Sequence, residues 1–535
     1  MLVQYGDRTE KRSAPVGTVS PVLTTPRSAS RLNARMPRRR RADTPARPRD
    51  LTRGAIAPTL FAFALPILGG NVMQSLNGSV NAIWIGRFLG EGALAAIANA
   101  NNIMFLLLGA IFGVGMAATI LVAQAIGRED LPGAKRVIGT SATFFLSASV
   151  LVALVGLPLS RHVLEWMGTP AAALPHADAY LKLIFLAVPF LYAFAFLSAI
   201  LRGAGDARTP FLFLLLVVVL DIVLVPLLML GIGPLPEMGM AGAALASLIA
   251  NALGLTALLA WLRHRRHRLW IHRTERHLYR PDWTIVRALL GKGLPMGLQM
   301  VMLSAAMIAM ISMVNAHGVD TTAGYGAALQ LWTYVQMPAM AIGAACSTMA
   351  AQNVGAGHWD RVSRIAGTGV GFNILMTGAL IVLLLLLDRA ALSLFLGDTS
   401  VALETARHLN RIAIWSFLFF GVTFVLFGVV RSTGAVLPPL IILGITLWGV
   451  RVPFATLLQP TLGVDAIWWS FPASALLAML LSIAYYRWGG WRKARMLAPR
   501  EPGAVPSEVP SHPPAPLAGV DPNDVAPATR LPARG

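Results

Sequence analysis

Residues 211–230, FLFLLLVVVLDIVLVPLLML, form an apolar run with one charge near its middle, Asp221. A helix needs about 20 such residues to cross roughly 30 Å of hydrocarbon, and an acid at its centre costs about 2.5 to 3.5 kcal/mol on insertion scales. Two readings of Asp221 stand side by side. It is an ion or proton site, or the counter-charge of a cationic substrate; or it is a protonated acid bonded to a neighbouring helix. The default for an ionisable group inside a membrane is the functional one.

The whole chain shares this character. With 56% hydrophobic and 13% charged residues, it falls well below the charged fraction of about 25% usual in soluble domains, so the expected class is an all-α integral membrane protein. The net charge of +20 excludes a nucleic-acid binder less well than its distribution does: the basic residues lie in tails and loops, not on one folded face. Cys346 is the single cysteine, which rules out an intramolecular disulfide and a thiolate metal cluster.

From residue 55 the chain breaks into twelve expected spans, at 58–84, 93–120, 136–158, 178–201, 209–231 and 239–262, then 286–314, 321–349, 364–387, 405–430, 437–459 and 465–487. Residues recur at an offset of 228 or 229: AQAIG at 123–127 answers AQNVG at 351–355, Leu65-Pro66 answers Leu294-Pro295, and Arg202, Gly205 and Pro210 answer Arg431, Gly434 and Pro439. Six helices per copy is an even number, so the halves form two lobes related by a pseudo-two-fold axis along the membrane normal, a parallel repeat with the substrate between them. The expected organisation is a disordered basic tail at 1–52, an N-lobe at 53–262, a basic linker at 263–284, a C-lobe at 285–490 and a Pro-rich tail at 491–535. No apolar signal segment precedes residue 55. Lys and Arg concentrate in alternate loops, which puts both termini in the cytoplasm of an inner-membrane protein; Arg407 and Arg411 run against that trend.

QSLNGSVNAIWIGR (74–87), LRGAGDARTP (201–210), LDIVLVPLL (220–228) with GPLPEMGMAGAALAS (233–247), and GYGAALQLWTYVQMPAMAIGAACSTMAAQNVGAG (324–357) together resemble the multidrug and toxic compound extrusion (MATE) family, over roughly 55–490. The resemblance implies twelve helices in two lobes and antiport of drugs or metabolites against protons or sodium by alternating access. The chain departs from the family at telling places. Asn81 stands where many members carry an Asp in the first span. Asp221 stands where the fifth span usually has Asn, and Val225 where it often has Asp. Leu303 and Phe420 stand near the acidic positions of the sodium-coupled branch.

Set against the family resemblance, one reading is that an acid and an amide facing each other between the first and fifth spans have traded places, giving Asn81 with Asp221. Asn81 can donate to the ionised carboxylate or accept from the protonated acid. Gln74, Asn77, Ser247 and Asn251 are further candidates for this cation-coupling network. Burial disfavours a charged carboxylate, which favours H+ over Na+ as the coupling ion. Pro66 is a candidate hinge. Arg451, in LWGVRVPFATLL, is the other intramembrane charge, one residue from the repeat partner of Asp221; it binds anionic groups or pairs across the cleft, or it snorkels outward. Trp84, Met104, Phe105, Trp332, Tyr334, Met337 and Met340 are candidate cavity contacts for flat organic cations, though such residues serve more often in packing.

His317 and His358 lack metal-ligand spacing, and the chain has no GxxxxGK[ST], no HExxH and no nucleophile elbow. The expectation is a non-enzyme, a monomer with small organic substrates and membrane lipids as partners, without cofactor, metal or nucleic acid. Two other functions remain open. One is a lipid-linked oligosaccharide or peptidoglycan-precursor flippase of the same superfamily; the other is a passive channel or non-transporting membrane protein.

Overall fold

The computed structural model describes residues 50–497 except 167–168, 170–173, 233–235 and 398–399, and gives the backbone alone for 90–108, 110 and 111. Most of both expected tails lies outside the described residues. The ordered fold nevertheless reaches into each, because an apolar anchor sits there: Leu51 is fully enclosed, and Trp491 is 1% exposed and donates its indole N–H to Tyr486 O at 2.7 Å.

The described residues are helical, without strands. In the first half, α1 (Ile56–Gly127), α2 (Leu131–Trp166), α3 (Leu174–Gly203), α4 (Arg208–Leu230) and α5 (Gly239–His264) pack on one another. In the second half, α6 (Trp283–Asn315), α7 (Val319–Gly355), α8 (Trp359–Leu386), α9 (Asp388–Leu396), α10 (Val401–Ala413), α11 (Ser416–Arg431), α12 (Leu437–Gly444), α13 (Val452–Leu457), α14 (Gln459–Leu462) and α15 (Asp465–Trp488) do the same. The halves meet chiefly where α1 packs against α6 and α7.

Nine described helices are long and apolar enough to cross a membrane, or ten if α10 and α11, bent by 44°, are one span. The other expected spans are helical but take different forms. The first and second run together in α1, whose parts Ile56–Leu89 and Phe112–Gly127 are apolar; no proline interrupts the intervening stretch, so no backbone donor is lost there. The eighth, α7, is not apolar enough to be counted. It is rich in Gly, Ala, Gln and Thr and is wrapped by α1, α8, α10 and α11. Small residues suit that position because they let helix backbones approach closely: a Cβ on Gly428 of α11 would sit 2.5 Å from Gly343 O of α7.

Two expected spans are broken. The tenth bends where amphipathic α10 gives way to apolar α11. On α10, Arg407 reaches Asp388 at 3.1 Å and Glu404 at 2.9 Å, and Arg411 lies 3.7 Å from Asp388. These carboxylates neutralise the two arginines that ran against the loop-charge trend. The eleventh passes from α12 through a π-helical turn, Ile445–Arg451, into α13. Pro453 explains the widening, since it offers no N–H to the carbonyl four residues back and its ring crowds that carbonyl.

Candidate functional site

Asp221 sits midway along α4 and is 3% exposed. Three donors from two other helices converge on it. Asn77 Nδ2 and Asn81 Nδ2, one turn apart on α1, both reach Oδ2, at 2.9 and 2.8 Å; Ser247 Oγ of α5 donates to Oδ1 at 2.8 Å. The spacing explains the meeting, because residues four apart lie on one face of a helix. Three donors and no acceptor suit the ionised carboxylate, which only accepts. The two asparagine oxygens, Asn77 Oδ1 and Asn81 Oδ1, are buried and have no partner among the described residues.

The other expected members of the network stand further off. Asn251 Nδ2 donates to Ser247 O at 2.8 Å and so braces the serine rather than the acid. Gln74 is exposed and lies outside the cluster. Pro66 sits inside α1 without ending it.

The expected cavity residues scatter. Trp84 packs in the N-lobe core and stacks on Phe88, ring centres 5.5 Å apart. The side chains of Met104 and Phe105 lie outside the described residues. Trp332 is 2% exposed, enclosed by Tyr325, Phe417 and Phe471, and gives its indole N–H to Asn410 Oδ1 at 2.9 Å. Met337 is buried as well, while Tyr334 and Met340 are half-buried on α7. Arg451 ends the π turn; its Nε donates to Ser474 Oγ at 2.8 Å and its guanidinium lies 4.7 Å over the ring of Phe471.

A second polar feature closes the end of the molecule that carries the basic loops. Gln124 of α1 donates across the lobes to Ser432 O at 2.7 Å, and Gln352 of α7 donates in the opposite sense to Gly203 O at 2.9 Å. Both glutamines, and both acceptors, are related by the internal repeat. The backbones touch there too: a Cβ on Gly127 would strike Gln352 O, and one on Gly355 would strike Gln124 O. Sequence reading found AQAIG and AQNVG but gave them no role. The signal was available, since a buried glutamine at matched places in both copies is a polar group needing a partner.

The MatE family pattern matches residues 66–227 and 295–457, one match in each half. The "Probable multidrug resistance protein YoeA" of Bacillus subtilis is 35% identical over 440 residues, 82% of this chain and 95% of that protein. The chain belongs to the MATE family. The "Probable multidrug resistance protein NorM" of Thermotoga maritima is a more distant relative, 25% identical over 83% of the chain and 94% of its own length. Among solved structures, a MATE protein crystallised in complex with MaD3S superposes with a TM-score of 0.76 at 21% identity, covering 82% of this chain and 96% of that one. At that identity the likeness speaks for the fold, which is the two-lobed MATE arrangement of a multi-pass membrane protein.

Proposed function

We propose that this MATE protein is a secondary active exporter of small organic compounds, among them organic cations, driven by inward flow of H+ through Asp221. The observation that carries the reading is the convergence of three donors on a buried carboxylate between α1, α4 and α5, next to two amide oxygens that have no partner among the described residues. Protonation at Oδ2, the oxygen that both asparagines reach, turns it into a donor, so an amide rotates and presents Oδ1 instead of its NH2. The contact between α1 and the α4–α5 pair is thereby reset. Because α1 is also the helix that meets α6 and α7, this local change acts on the contact between the lobes. The names of the relatives, multidrug resistance proteins and a "Multidrug export protein MepA" of Staphylococcus aureus, support the same class of cargo.

Everted membrane vesicles loaded by an imposed proton or sodium gradient test this. Ethidium should accumulate in response to the proton gradient, and Asp221→Asn should abolish that accumulation while inserting normally. Undiminished gradient-driven uptake by the variant would remove Asp221 from the coupling step.

A further inference from the structure

The two lobes carry charges of opposite sign at matching places. Asp221 lies on α4, and Arg451 is one residue from its repeat partner Val450. Each charge bonds a serine on the next long helix of its half, Ser247 of α5 to Asp221 Oδ1 and Arg451 Nε to Ser474 Oγ of α15, both at 2.8 Å. The atoms left over around them differ in kind. Beside Asp221 the buried atoms without a partner among the described residues are carbonyl oxygens, on Asn77 and Asn81. On the Arg451 side they are groups able to donate, the indole N–H of Trp468 and the hydroxyl of Tyr325.

These groups form one cluster. Trp468 and Tyr325 stack with ring centres 5.8 Å apart, and Tyr325 lies 6.4 Å from Phe471, the ring beneath the guanidinium. Among the described residues the guanidinium bonds only Ser474, through Nε, so its terminal nitrogens remain to be used. A buried charge without a counter-charge costs several kcal/mol, and buried donors are rarely left unused. The backbone at this point is a π turn, a feature that recurs at functional sites.

We propose that Arg451, with Tyr325 and Trp468, forms an anion-binding site in the C-lobe that takes the carboxylate of a zwitterionic cargo. The two terminal nitrogens of a guanidinium match the two oxygens of a carboxylate, and Phe471 provides an apolar wall against which the cargo's ring system packs. The assignment rests on the export reading only in calling the ligand cargo. Binding is measurable without any gradient, so failure here leaves the coupling role of Asp221 untouched.

The test uses purified full-length protein in detergent, with fluorescence polarisation of rhodamine B, which has a free carboxylate, and of its ethyl ester, which has none. The wild type should bind the acid more tightly than the ester. A hydrogen-bonded charge contributes about 1.5 to 3 kcal/mol, so Arg451→Gln should weaken the acid by about 10- to 100-fold and leave the ester unchanged, which also reports an intact fold. Arg451→Lys, keeping the charge without the fork, should fall between. Equal affinity of acid and ester in the wild type, parallel loss of both in the glutamine variant, or retained acid binding overturns the proposal. Measurements in gluconate and again with added chloride separate the sources of negative charge. Displacement of the acid by ordinary chloride concentrations makes the occupant an inorganic anion and overturns the cargo assignment.

Discussion

Gln124 and Gln352 each hold the opposite lobe by a backbone carbonyl, Gln124 reaching Ser432 O at 2.7 Å and Gln352 reaching Gly203 O at 2.9 Å. The pair is a reciprocal clasp, one half from each copy of the repeat. Each bond contributes about 1 kcal/mol net, and about 2 kcal/mol together changes a two-state ratio by roughly 30-fold. Gln124→Ala with Gln352→Ala should therefore shift the protein toward the form open at the basic-loop end. Pulsed electron resonance between spin labels on the first turns of α2 and α8 reads this as a gain in the longer distance. An unchanged distribution would assign the closure to helix packing alone.

The glycines at the same crossing make an independent prediction. Gly127→Ala should prevent the closure more completely than loss of either glutamine, because its Cβ meets a carbonyl oxygen of the other lobe's backbone rather than a mobile side chain. Labelling of cysteines introduced near Gly203 should rise in that variant. Labelling equal to the parent would mean that the lobes part too easily for one methyl group to matter.

Asn81 and Asp221 form a carboxylate–amide pair across two helices, with 2.8 Å between Nδ2 and Oδ2. Exchanging them should preserve the chemistry. Asp221→Asn alone should abolish proton-driven accumulation, and the double variant Asn81→Asp with Asp221→Asn should regain a substantial part of it. No recovery would tie the function to the α5 contact through Ser247, which the exchange loses.

Near the start of α2, Lys135 Nζ meets both oxygens of Glu275 at 2.8 Å and fixes to α2 the short 3-10 helix Arg273–Tyr279, which lies between the spans α5 and α6. Lys135, together with the backbone N–H of His272, holds the Glu275 carboxyl below its ordinary value of 4.5. A lowered folded value stabilises the protein above the unfolded one and loses that effect as the pH falls through the lowered value. The melting temperature of Glu275→Gln should thus lie below that of the parent near neutral pH, and the two should converge in acid below about pH 4. A gap that is constant with pH would make the contact one of packing.

Trp332 and Asn410 offer a stability test inside the C-lobe. Asn410→Ala leaves a buried indole N–H without its acceptor, at a cost of about 1 to 3 kcal/mol. Adding Trp332→Phe removes the orphaned donor and should recover part of the loss in a thermal melt. Strictly additive losses would show that the 2.9 Å bond contributes little.

Much of this was legible in the chain. Asp221 stood out because a lone charge in an apolar run is costly to insert; Asn81 followed from the family resemblance, and Asn77 and Ser247 from helical spacing together with position in the family. The glutamine clasp was legible only as a repeat, since sequence spacing does not say which carbonyl lies across an interface. Gln74 was drawn in by proximity, yet three residues before Asn77 it is the exposed one. The cavity aromatics misled for a different reason: Trp332 and Trp84 have the composition of a drug contact and the packing of core residues, and composition cannot separate the two. The π turn was signalled by Pro453, but a proline forecasts a disturbance without its form.

The polarity of α7 has a consequence for biogenesis. A span with so many glycine, glutamine and threonine positions gains little from lipid by itself, so it must be released from the insertion machinery into the company of its partners. Of those partners α1 is already made when α7 emerges, whereas α8, α10 and α11 are still to come. The nascent N-terminal half is therefore a shelter for the helix on which the C-terminal half is later assembled.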